Sequence, residues 1–167
     1  MTTSIAVRLR RLAAPRPQAP GHGGRRAAAL LVRLICVALL AWIGAVHLHL
    51  WLEGYRQIPT DGPLFLLDAV TGLALAALLL VWAAPLAGLV AAGYTASTLG
   101  ALLISLSVGL FGFRESISAS FVTQSLVIEA ITVLALLGWI ALVTAGPRRD
   151  GLPARRRSPA PQLNRGR

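Results

Sequence analysis

Four long apolar stretches, separated by short polar or proline-containing segments, constrain this chain more than any other feature. A transmembrane helix needs about 20 predominantly apolar residues, and residues 30–51, 64–84, 86–113 and 118–145 all meet this requirement. Pro63 and Pro85 stand at helix starts, where the missing N–H of proline costs no hydrogen bond. With 56% hydrophobic residues, the composition excludes an ordinary soluble fold. The sequence therefore predicts an all-α transmembrane four-helix bundle.

Two basic tails, residues 1–29 and 146–167, flank the predicted membrane domain at residues 30–145. We expect both tails to be disordered, because both are rich in Arg, Pro and Gly. The formal net charge of +10 arises in these tails and gives no reason to expect a nucleic-acid partner. We expect them instead to contact the lipid bilayer at anionic headgroups.

The same Arg residues predict the orientation of the chain. Short Arg-rich flanks stay cytoplasmic, so an even number of spans places both the N-terminus and the C-terminus inside. All 16 basic residues are Arg and none is Lys, a bias typical of GC-rich bacterial genomes. The sequence therefore predicts a multi-pass protein of the bacterial inner (plasma) membrane.

Small residues recur along the third span and predict close helix packing. Two adjacent rows contain Gly88, Ala92, Gly93, Ala96, Ser97 and Gly100. Small side chains allow the backbones of membrane helices to approach each other. We expect this span to be the central packing helix, and its partners to be neighbouring spans, further copies of the chain or other membrane subunits.

Polar and ionisable residues inside the spans form a candidate intramembrane cluster. Its members are His47, Asp68, Gln124, Glu129, Ser105 and Ser125. Such residues are costly in lipid and usually face the bundle interior. At about 1.5 Å per residue, His47 and Asp68 lie roughly 6 Å from the outer ends of their spans, and Glu129 roughly 13 Å. The cluster either fixes helix register through interhelical hydrogen bonds or carries protons or cations.

The connection between the first two spans predicts a structured outer loop over this cluster. Its candidate residues are Tyr55, Arg56, Pro59 and Thr60. Proline and glycine favour a turn here, and tyrosine is typical of the membrane interface. Alternatively, Tyr55 and Arg56 cap Asp68 or bind an anionic headgroup.

Signals for catalysis, metals and cofactors are weak. His49 and Glu53 stand four residues apart and are weak candidates for a metal site, but no zinc or di-iron spacing accompanies them. Both intramembrane histidines share one span, which excludes an intrachain bis-His haem. There is no phosphate-binding loop, nucleophile elbow or H-E-x-x-H motif. We therefore predict neither enzymatic activity nor a bound metal or cofactor.

The outer end of the first span and the segment after it resemble a block of sequence in other membrane proteins. The quoted stretches are HLHLW at 47–51, GYRQIPT at 54–60 and GPLFLL at 62–67. This block resembles one found in small four-span integral membrane proteins of actinobacteria, a family with no assigned activity, over roughly residues 40–145. The resemblance implies the same fold and an inner-membrane location. The four-span size is also similar to that of DoxX-like proteins, which are associated with membrane redox complexes, but only by architecture.

Three functional interpretations remain open from the sequence. The first is an accessory or assembly subunit, or a homo-oligomeric structural membrane protein. The second is a small proton- or cation-conducting or transport protein that uses His47, Asp68 and Glu129. The third is a subunit of a membrane redox complex that contacts quinone or an exogenous haem near His47 and Trp51.

Overall fold

The computed structural model describes residues 23–112 and 114–145, together with Ala13. The helices are α1 (Gly23–Glu53), α2 (Asp61–Val81), α3 (Pro85–Ser107) and α4 (Val122–Thr144), with a 3-10 turn at Tyr55–Gln57. These ranges contain no β-strand. All four helices are long and apolar enough to cross a membrane. The all-helical architecture is confirmed, and it indicates a multi-pass membrane protein.

The ends of the helices differ from the predicted spans for local backbone reasons. Helix α3 ends at Ser107 rather than at residue 113, because the backbone reverses through Gly109 and Gly112, whose φ angles are 89° and 86°. Helix α4 begins at Val122 rather than at residue 118, directly after Phe121 with φ of 66°. Helix α2 spans 61–81 instead of 64–84, and residues 82–84 form the turn to α3.

The prediction that residues 23–29 belong to a disordered tail is wrong. Helix α1 already begins at Gly23. Its first turn is held by Arg25, whose guanidinium donates to the Leu142 carbonyl oxygen at 2.7 Å and to that of Ala145. The remaining residues of both predicted tails, apart from Ala13, lie outside the described part of the chain.

Helix α1, and not α3, is the central packing helix. It packs most extensively on α2 and also on α4, whereas α3 packs on α4 and only slightly on α2. Glycines explain the close pairing of α1 with α2: a Cβ on Gly44 would lie 2.9 Å from the Ala69 carbonyl oxygen. Among the neighbouring helices, α2 and α3 pack least extensively; their line of contact is here called the α2–α3 seam.

Only part of the small-residue face of α3 packs within the chain. A Cβ on Gly88 would lie 2.7 Å from Cζ3 of Trp139, and Ala92 is buried. By contrast, Gly93, Ala96 and Ser97 are exposed, and a Cβ on Gly93 or Gly100 would meet no atom within 4 Å. Since α3 has one extensive neighbour, a single face of it is covered.

The two ends of the bundle differ in packing. At the end where α1 begins and α4 ends, here called the tail end, the core is apolar and tightly filled. Its fully buried side chains include Cys36, Leu40, Leu79, Leu136 and Trp139. Arg33 closes this end by donating from Nε to the Leu79 carbonyl oxygen at 2.7 Å and from Nη2 to that of Leu80. A cation at a helix C-terminus also interacts favourably with the helix dipole.

Candidate functional site

The opposite end, here called the loop end, contains a cavity of about 540 Å³. All four helices, the Tyr55–Gln57 turn and the α3–α4 connection contribute to its lining. Most of the lining is apolar, with Leu64 and Phe65 from α2 and Ile104 from α3 among the residues. A volume of this size is typical of sites that bind small organic molecules.

The arrangement of α2 and α3 explains why the cavity forms at the loop end. Residues 82–84 hold the two helices together at the tail end. Further along, the Tyr94 hydroxyl bridges them by donating to the Asp68 carbonyl oxygen at 2.7 Å. Ser97 and Ile104, which follow on α3, line the cavity although both are exposed. The cavity therefore opens sideways along the α2–α3 seam.

A deep cluster in the cavity consists of His47, Asp68 and Glu129. His47 Nε2 lies 4.0 Å from Asp68 Oδ2, and His47 Nδ1 lies 2.9 Å from the Ile43 carbonyl oxygen. Since a carbonyl only accepts, Nδ1 carries a proton, and Nε2 of a neutral ring is then an acceptor. The approach of Nε2 to Asp68 is attractive only when a further proton resides on one of the two groups.

Glu129 is the most buried ionisable residue of the cavity. Its side chain is 2% exposed, and Oε2 has no hydrogen-bond partner among the described residues. An isolated buried carboxylate is strongly disfavoured in an apolar medium. Glu129 therefore holds a proton or requires a cation in the cavity beside it.

A second cluster, at the cavity mouth, consists of Tyr55, Asp61 and Glu115. The Tyr55 hydroxyl donates to Glu115 Oε2 at 3.0 Å and so joins the two loops. Burial, followed by the hydrogen bond to Glu115 and the charge of Glu115, raises the pKa of Tyr55 to about 12. Asp61 is 6% exposed, and its Oδ2 has no hydrogen-bond partner in the described ranges.

Most of the predicted intramembrane cluster meets at this cavity. The residues that line it are His47, Asp68, Ser105, Ser125 and Glu129. Ser105 has a structural role there, because its Oγ and its carbonyl oxygen each accept from the Glu115 backbone N–H at 3.3 Å. Gln124 does not belong to the cavity: its side chain is exposed and borders a separate pocket of only about 10 Å³.

The outer loop only partly follows the prediction. Tyr55 reaches the cavity but binds Glu115 rather than capping Asp68. Arg56, Pro59 and Thr60 are exposed and are not part of the lining. The loop folds back through a hydrogen bond from the Gly62 N–H to the Ile58 carbonyl oxygen at 2.9 Å.

The weak metal candidates form a surface pair. His49 Nε2 lies 3.6 Å from Glu53 Oε1, and both side chains are about half exposed, at 49% and 62%. Within the described residues, no group of three or more His, Cys, Asp or Glu is placed to hold a metal ion.

Asp61 and Glu115 are the site residues that sequence reasoning missed. Each appears in the sequence as a charge beside a span, which is common for interfacial residues. Together with Asp68 and Glu129, they bring four of the six acidic residues of the chain to one cavity. Only the lack of a basic excess in both outer connections hinted at this convergence.

Comparison with known proteins gives no match. No family model, no curated protein and no solved structure matches the chain.

Proposed function

We propose that this chain is a membrane protein that takes up a cation in its loop-end cavity. One observation carries the proposal: four carboxyl side chains line the cavity, and two of them, Asp61 and Glu129, have a buried oxygen without a hydrogen-bond partner among the described residues. Among the described residues of the lining, His47 is the only side chain that can carry a positive charge. A bound cation would offset the cost of these carboxylates, which explains why such a costly cluster is present.

Binding is favoured over conduction by the filled tail end. Leu40 and Leu136 are fully buried and Trp139 is 1% exposed, and the last two follow Glu129 along α4 towards the tail end. Protein interiors packed in this way leave no space for water or an ion. In a single chain, the cavity therefore exchanges its ligand with the loop end and the α2–α3 seam.

The proposed topology determines which side of the membrane the cavity faces. We place both termini in the cytoplasm of a bacterial inner membrane, because Arg-rich flanks precede the first span and follow the last. The loop end, with Tyr55, Asp61 and Glu115, then faces the outer side. The protein would bind cations that arrive from outside the cell or from the outer leaflet.

Thermal unfolding in different chloride salts tests the proposal. The purified protein in a non-ionic detergent is heated in sodium, magnesium, guanidinium, tetramethylammonium or butylammonium chloride at one ionic strength. A cation that binds the folded state raises the unfolding temperature. We expect at least one cation to do so in the wild type and in Glu53→Gln, and not in the Asp68→Asn/Glu129→Gln double variant. Identical responses of the wild type and the double variant would contradict cation uptake.

The exposed small residues of α3 support a second function, assembly with another membrane helix. Gly93 and Ala96 form a face that nothing covers within the described residues. Such faces allow close helix association in lipid, which fits an accessory subunit or a homo-oligomer. We expect Ala96→Cys to form a crosslinked species in native membranes, whereas Leu134→Cys, on an exposed face of α4, does not. Equal crosslinking at both positions would indicate random collision.

A further inference from the structure

Three features of the cavity restrict the kind of cation it can hold. The first is its chemistry: no three His, Cys, Asp or Glu side chains of the described residues converge as metal ligands. Hard divalent cations require six or more oxygen ligands, or retain several waters. The carboxylates of this cavity are spread between its mouth and its depth, so they suit a molecule and not a single metal ion.

The second feature is size and polarity. About 540 Å³ is far more than a proton relay or a small hydrated ion needs, and much of the wall is formed by apolar side chains. Leu64, Phe65 and Ile104 would contact an apolar body over a large area. Burial of each methylene group contributes about 0.8 kcal/mol, so an apolar body would dominate the affinity.

The third feature is access through the bilayer. Ser97 and Ile104 lie within a membrane-spanning helix, line the cavity and are nevertheless exposed. The opening they border lies at the α2–α3 seam, where helix packing is weakest. A ligand that partitions into lipid can therefore reach the cavity without passing through water.

From these features we infer that the ligand is an amphiphilic amine, whose apolar body lies against Leu64, Phe65 and Ile104 and whose ammonium group is held by Asp68 and Glu129. The N–H groups of the ammonium donate to Glu129 Oε2, which has no other partner in the described residues, and to Asp68. Charge-assisted bonds of this kind are the strong ones in an apolar site. This inference rests on the proposed function, and it defines the substrate class of the same cavity.

A matched set of four compounds separates the contributions of charge and apolar body. These are 4-phenylbutylamine, the truncated butylamine, the uncharged 4-phenylbutanol and the oppositely charged 4-phenylbutanoic acid. Their binding is measured by ligand-observed NMR with the full chain in lipid nanodiscs. We expect 4-phenylbutylamine to bind at least about tenfold more tightly than each of the other three. We expect the Asp68→Asn/Glu129→Gln variant to lose this preference, and Glu53→Gln to keep it.

The outcomes distinguish this inference from the function on which it rests. Equal binding of butylamine and 4-phenylbutylamine would overturn the amphiphile and leave cation uptake intact. Equal binding of 4-phenylbutanol and 4-phenylbutylamine would show an apolar pocket without charge recognition, and would overturn the inference. Failure of both amines to bind the wild type, together with no salt-specific stabilisation, would overturn both proposals.

Two bulky substitutions on one exposed row of α3 test the lateral opening. Ser97→Phe places a ring at the edge of the cavity, whereas Val90→Phe lies two turns away, outside the lining and at an exposed position. We expect Ser97→Phe to slow or weaken binding of 4-phenylbutylamine at least about fivefold, and Val90→Phe to leave it unchanged. Equal effects of the two substitutions would contradict access through the seam.

Discussion

Gly72 of α2 lies directly against Gly44 of α1: a Cβ on Gly72 would stand 3.2 Å from the Gly44 Cα. The two helices are therefore in backbone contact at this crossing. The contact fixes α2 on α1, and with it the position of Asp68 relative to His47, one turn from each glycine. The geometry of the deep cluster thus depends on two residues that carry no side chain.

Gly44→Ala is expected to destabilise the bundle. Its Cβ would lie 2.9 Å from the Ala69 carbonyl oxygen, a backbone atom that can move only with the whole of α2. Overpacking of this kind costs about 1–3 kcal/mol. Gly93→Ala is the matched control, because its Cβ meets nothing within 4 Å and alanine favours helix. Unfolding in a denaturing detergent measures both; equal stability of the two variants would contradict the close α1–α2 contact.

Arg33→Ala is expected to loosen the tail end. The substitution removes the donors to the Leu79 and Leu80 carbonyl oxygens at the end of α2. Hydrogen bonds from charged groups contribute about 1.5–3 kcal/mol, so the loss of unfolding free energy should lie in that range. Arg114→Ala, at an exposed position of the α3–α4 connection, serves as control and should change stability little. Unchanged stability of Arg33→Ala would contradict a stabilising role of these two hydrogen bonds.

Tyr55 is expected to ionise with a pKa of about 12, compared with 10.0 for an ordinary tyrosine. Burial is the main cause, and the hydrogen bond to Glu115 is the next. The difference in tyrosinate absorbance between the wild type and Tyr55→Phe isolates this residue, because Tyr94 is the only other tyrosine. Glu115→Gln should lower the pKa in part. Ionisation near 10 in the wild type would contradict the closed mouth.

The same raised pKa makes loop stability dependent on alkaline pH. The folded state holds the Tyr55 proton more tightly than the unfolded state, so the contribution is complete below pH 10 and lost as the pH rises through about 12. We expect the unfolding temperature of the wild type to fall towards that of Tyr55→Phe over this window. A constant difference between the two proteins across the window would contradict the role of the Tyr55–Glu115 bond.

Cysteine labelling is expected to reveal the sidedness of the cavity. Cys36 is the only cysteine of the chain and is fully buried, so the wild type should not react with a membrane-impermeant maleimide. Glu53→Cys places a thiol at an exposed position of the loop end. We expect this variant to be labelled in intact cells. Labelling only after cell lysis would reverse the proposed orientation.

The four helices were predictable because a membrane span is recognised by the mean hydropathy of about 20 residues, which a single residue changes little. The polar cluster was predictable in part, since the cost of ionisable groups in lipid leads His47, Asp68 and Glu129 to share an interior. The helix ends depended on single backbone conformations, such as the positive φ of Phe121. The cavity itself was not predictable, because it depends on the sparse packing of α2 against α3, which no periodic pattern records.

Asp61 and Glu115 show the same limit. Whether a carboxylate beside a span faces solvent or the cavity depends on how its loop folds back. Glu115 is held at the cavity by a hydrogen bond from Tyr55, which lies 60 positions earlier in the chain. The small-residue rows of α3 show the converse case. They indicate a capacity for close packing, but which part of the face is covered depends on the arrangement of the neighbouring helices.

Native mass spectrometry of the protein, gently extracted from its own membrane, tests the central claim most directly. One spectrum reports the copy number and the mass of any bound small molecule. The account predicts one basic small molecule per chain in the wild type and in Glu53→Gln, and bare chains in Asp68→Asn/Glu129→Gln. The same bound masses in the wild type and the double variant, or bare chains in all three proteins, would contradict it.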